Sequence, residues 1–90
     1  MEIIRTVVHD REVTQDIAAA ERSYRLVEGA VMSVEWYLSR NPNDGVHRRG
    51  KFWVYTHQGK KIHRVPEVSV LYSFTDDEVV FHAILFRPGT

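Results

Sequence analysis

The sequence predicts an α+β domain of order β-α-α-β-β-β, with two helices packed on one face of a twisted, largely antiparallel sheet. Three observations carry that expectation. Val68–Phe86, VSVLYSFTDDEVVFHAILF, reads as two apolar strands joined by an acidic turn. Tyr24, Val27, Val31, Val34 and Leu38 recur at three- and four-residue spacing, the period of a helix with a broad buried face. The last three apolar segments follow one another with no helical stretch between them. They therefore pair as an antiparallel meander and leave the helices to share one side.

Taken in order, Glu2–Val8 is a strand, because Ile3, Ile4, Val7 and Val8 supply β-branched side chains that fit a pleated surface. His9-Asp10 ends it, and Asp10 is placed to cap the next element. Arg11–Glu21 is a short surface helix with a thin stripe of Val13, Ile17 and Ala20. A bend follows near Arg22-Ser23, and Ser23 is placed to cap a second helix reaching about Ser39. Leu26, Ala30 and Tyr37 widen its apolar face, while Arg25, Glu28, Glu35 and Arg40 project the other way. Met32 and Trp36 fall on the mostly polar arc. The plainer expectation is that the first helix covers them; the alternative is an exposed partner-binding patch.

Asn41-Pro42-Asn43-Asp44-Gly45 stops the helix, since the residue before proline avoids the α region. Lys51–His57 alternates Phe52, Val54 and Thr56 with Trp53, Tyr55 and His57, a strand with large side chains on both faces. Gln58–Pro66 is a basic loop. In the closing hairpin, Val68, Val70, Tyr72 and Phe74 share one face. Its second strand is apolar on both faces except at His82, as a central strand covered on both sides would be. Thr75–Glu78 is the turn.

Ninety residues make one domain with a modest core. There is no cysteine, which excludes a disulfide framework and a thiol nucleophile. Glu2 and Arg5 interrupt the opening residues, so a signal peptide is not expected, and no apolar run reaches the ~20 residues of a membrane span. A cytoplasmic location is expected. Net charge is zero, but residues 1–45 carry −3 and residues 46–90 carry +3. Arg48, Arg49, Lys51, Lys60, Lys61 and Arg64 form a basic segment with no acid among them. It suits phosphates or an acidic protein, or it protects an edge strand from unwanted pairing.

Two stretches carry a family resemblance. One is Leu38-Ser39-Arg40-Asn41-Pro42, followed by a glycine and then Gly50-Lys51-Phe52-Trp53-Val54-Tyr55. The other is Val70-Leu71-Tyr72-Ser73-Phe74, followed by Asp76-Asp77-Glu78-Val79-Val80. In order and spacing they resemble the RelE/ParE superfamily of bacterial type II toxins, from the first strand to Phe86. The resemblance implies a small cytoplasmic toxin, neutralised by a cognate antitoxin, that inhibits DNA gyrase or cuts messenger RNA on the ribosome. No cofactor is implied, and self-association into a homodimer stays open. Ser69 stands where RNA-cleaving members often carry an arginine, and Val54 and Tyr55 stand where they often carry Lys or Glu.

Ribonuclease chemistry needs groups that move protons and cations that face the phosphate. His57, His82 and Arg87 are the catalytic candidates, with the basic segment as the target-binding surface. His82 shares a phase with Val80, Ile84 and Phe86, which favours a packed core histidine. His57 and His63 lack metal-ligand spacing, and no metal is expected. Met32 and Trp36 are the candidate antitoxin contacts. The sequence therefore leaves three functions open: a toxin that binds and inhibits a target, a ribosome-dependent endoribonuclease, and a non-toxic binding or regulatory relative. The missing cation at Ser69 favours the first over the second.

Overall fold

Two helices lie across one face of a five-stranded mixed sheet in the computed structural model, which describes residues 3–59 and 65–89. Strand β1 (Thr6–His9) leads into helices α1 (Arg11–Ala20) and α2 (Val27–Arg40). A 3-10 turn over Pro42–Asp44 connects to β2 (Val46–Arg49), β3 (Phe52–His57), β4 (Glu67–Phe74) and β5 (Glu78–Arg87). The spatial order is β1-β5-β4-β3-β2. β1 runs parallel to β5, and every other pairing is antiparallel. The closing hairpin, β4 and β5, thus sits at the centre of the sheet, as its apolar pattern predicts.

The structure adds one strand to the expected order. Val46–Arg49 is exposed throughout, so no buried face in its side chains signals a strand. Its pairing comes from the backbone. Gly50, with φ of 56°, opens a two-residue turn that only a residue without Cβ enters cheaply, and this folds β2 back on β3. β1 is shorter than expected. Thr6 pairs with Glu78, where β5 begins, so Ile3 and Ile4 have no strand beside them and remain exposed. The amide of Arg5 bonds the Ser39 carbonyl instead, at 3.0 Å.

Helix α2 starts at Val27, four residues after the expected Ser23 cap. The backbone amides of Ser23 and Tyr24 both bond back to the Ala20 carbonyl, so these residues close α1 rather than open α2. Leu26 then precedes α2 with a left-handed φ of 58°, a conformation that costs a branched residue about 1 kcal/mol. Asp10 does occupy the cap position of α1, but its side chain makes no cap hydrogen bond.

The core lies between the helices and β4–β5. Val13, Val34, Leu38, Val68, Tyr72, Val79 and Phe81 are wholly buried there. At the far end of α2, the Tyr72 hydroxyl donates to the Pro42 carbonyl at 2.6 Å, which ties the loop after the helix to the middle of β4.

A bulge in β5 changes which face its residues take. Tyr72 pairs with Phe81 and Leu71 with Ala83, so His82 is the extra residue. Val79 and Phe81 before it, and Ile84 beyond it, enter the core with the helices. His82 is thereby removed from the phase of Ile84 and Phe86 and placed on the opposite face. The expected cover on both faces of β5 is also absent: among the described residues the helices shield one face, and Leu85 on the other stays exposed.

Candidate functional site

The polar arc of α2 leaves Met32 and Trp36 58% and 59% exposed. The expectation that α1 covers them is overturned. α1 has only ten residues, and its core contacts Val13 and Ala20 turn it toward the sheet. Trp36 carries the Arg40 guanidinium 4.2 Å above its ring centre, a favourable cation–π stack.

Beside this patch runs a groove of about 480 Å³ between α2 and β3. Met32, Ser33, Trp36 and Tyr37 form one wall, and Tyr55 and His57 form the other. The rings of Tyr37 and Tyr55 stack with centroids 5.3 Å apart and close the groove floor. The Tyr37 hydroxyl donates to the Asp44 carboxylate. That bond, with desolvation and the Asp44 charge, raises the Tyr37 pKa above its ordinary value. Burial, then the Asp44 charge, raises that of Tyr55. Both phenols stay protonated at neutral pH, so the floor offers apolar rings with hydroxyl tips, a surface suited to protein contacts.

The catalytic candidates do not converge. His57 lines the groove on the helix side of the sheet. His82 lies on the other side, where its Nδ1 meets Asp10 Oδ2 at 3.0 Å and its Nε2 meets Ser73 Oγ at 2.7 Å. Arg87 ends β5 opposite Glu67 and is exposed. The sheet itself separates the two histidines.

Asp10, His82 and Ser73 form a hydrogen-bonded chain that the sequence does not announce, because Asp10 and His82 are 72 residues apart. Its order is that of an acyl-transfer triad, but its setting is not. Ser73 is 8% exposed and sits within a paired stretch of β4, and the Phe52 ring presses edge-on against His82 at 5.3 Å. A nucleophile needs an open approach and donors for the oxyanion, and this serine stands inside a strand. The chain instead holds the bulge to the start of α1. His82→Ala is expected to lower stability by about 1 kcal/mol, because the Ser73 hydroxyl and Asp10 lose a shared partner; urea denaturation measures it.

Arg48 and Arg49 lie on β2, the outer strand of the sheet, and Lys51 follows the turn with its ammonium 5.6 Å from the Phe52 ring centre. Lys60, Lys61 and Arg64 lie outside the described residues. The bases that are described therefore guard a sheet edge, the role Lys and Arg commonly play there. Ser69, in the position read as lacking a cation, bonds Thr56 across the strands at 3.0 Å. Among the described residues no three His, Asp or Glu side chains gather as metal ligands, and no helix is long and apolar enough to cross a membrane.

No protein-family model matches the chain, and no curated protein or solved structure matches it either.

Proposed function

We propose that the chain is the growth-inhibiting component of a toxin–antitoxin pair of the RelE/ParE kind, acting by binding a cellular target such as gyrase or the ribosome. An antitoxin seated on the Met32–Trp36 groove holds it in check. The sequence resemblance supplies the class, and one observation supplies the mode. A large exposed aromatic stands beside a groove with a tyrosine floor, while the candidate catalytic side chains fall on opposite sides of the sheet. Trp and Tyr anchors of this sort dominate protein interfaces. Met32 and Trp36, one helical turn apart, suit the apolar face of an amphipathic segment.

Induced expression in a bacterial host is expected to arrest growth, and co-expression of a short acidic antitoxin from a neighbouring gene is expected to restore it. Trp36→Glu, with the side chain already exposed, should fold normally and still arrest growth but escape rescue, with antitoxin affinity down at least 30-fold (about 2 kcal/mol for an anchor residue). Absence of arrest by the wild-type chain contradicts the toxin reading. Collapse of the Trp36→Glu fold shows that the residue belongs to the core.

A further inference from the structure

The sheet face opposite the helices carries an apolar row, bordered on one side by the bonded Thr56–Ser69 pair and on the other by Ser73 and His82. Register places Val46, Val54, Leu71 and Ala83 in one row across four strands, with Val8 and Leu85 in the rows beside it. Val8, Val46 and Leu85 are 40%, 58% and 49% exposed, and among the described residues nothing packs over them. An exposed apolar row that crosses four neighbouring strands marks a contact surface. The helix-side groove lies on the other side of the molecule.

We propose that this face joins two copies of the chain, stacked sheet on sheet about a twofold axis parallel to the strands. Charge placement selects a second copy as the occupant. Arg49 pairs with Phe52 and so sits on this face at the β2 edge. Asp10, half exposed, lies on the same face at the β1 edge, where it meets His82. An axis along the strands lays β1 of one copy over β2 of the other, so the acidic edge meets the basic edge twice, as a self-complementary interface requires. An acidic segment from another protein would suit the Arg49 edge and be repelled at the Asp10 edge. With strands ~4.8 Å apart, five strands present on the order of 450 Å² per copy, or ~900 Å² in all, an area typical of a weak, reversible pair.

Sedimentation velocity of the full chain, from low to high micromolar concentration, tests this. The wild-type mass is expected to rise from that of a 10.5 kDa monomer toward twice that value. Val46→Glu and Leu85→Glu, both at exposed positions, should each weaken the dimer at least tenfold, and Arg49→Glu should weaken it as well. Trp36→Glu should dimerise as the wild type does, so failure of this proposal and failure of the groove reading are distinguishable. A second measurement needs no substitution: on dilution of the wild-type chain, NMR shifts should move at Val54, Leu71 and Leu85 and stay fixed at Met32. A chain monomeric at every concentration overturns the proposal. So does a dimer untouched by Val46→Glu and Leu85→Glu, or dilution shifts confined to the groove, or a monomer that takes up an antitoxin on this face.

Discussion

Gly45→Ala is expected to lower the unfolding free energy by about 3 kcal/mol, the upper range for forcing extra volume into a packed site. A Cβ at Gly45 would lie 2.7 Å from the Val54 carbonyl oxygen and closer still to the Tyr72 hydroxyl. Neither neighbour can give way easily. The carbonyl belongs to β3, which is paired on both sides, and the phenol is buried and held by Pro42. The backbone of Gly45 has an ordinary extended conformation, with φ of −75°, so close approach rather than conformational freedom demands glycine here. Urea denaturation should show a lower midpoint with an unchanged slope. A midpoint within experimental error of wild type would mean that the joint between α2 and the sheet is loose.

Tyr72→Phe is expected to cost about 2 kcal/mol, because the buried Pro42 carbonyl loses its donor. The same hydroxyl makes stability depend on alkaline pH. Burial pushes the Tyr72 pKa from 10.0 up to about 12, and the Asp44 and Tyr55 charges add to the rise, while the Gly45 amide partly offsets it. The unfolded chain therefore releases this proton more readily than the folded one. The stabilisation is complete below pH 10 and declines as pH climbs through 10 toward about 12. Tyr72→Phe should flatten much of that decline. Tyr37 and Tyr55, also raised, leave a smaller decline in place. Urea midpoints at pH 8, 10 and 11 measure the effect, and a wild-type curve that stays flat to pH 11 would contradict the assignment.

The elements most legible in the sequence are those whose side chains alternate against one packed face. The period of Val68–Phe74 and the helical stripe from Val27 to Leu38 are read directly, because burial of one face fixes both spacing and register. β2 is illegible for the opposite reason: its four residues bury nothing, and a glycine turn plus backbone pairing make the strand. The β5 bulge is invisible because Val79–Phe86 is apolar at nearly every position, so the sequence does not mark where the phase resets. His82 consequently changes face, and its link to Asp10 appears only once β1 is laid beside β5.

The site follows the same rule. Met32 and Trp36 stand out in the sequence by their place on a polar arc, but whether α1 covers them depends on how α1 leans on the sheet, a tertiary matter. Tyr37 and Tyr55 look like ordinary helix–sheet contacts in the sequence, and they are; the groove they floor exists because the contact stops short of the exposed arc.

The proposed mode of action is inhibition by binding, without catalysis. It is tested most directly by profiling messenger RNA after induced expression of the wild-type chain and of a triple variant, His57→Ala with His82→Ala and Arg87→Ala, shown beforehand to be folded. Binding without catalysis predicts growth arrest by both chains with full-length messenger RNA in each culture. Cleavage at regular codon positions in the wild-type culture, lost in the triple variant, would contradict it.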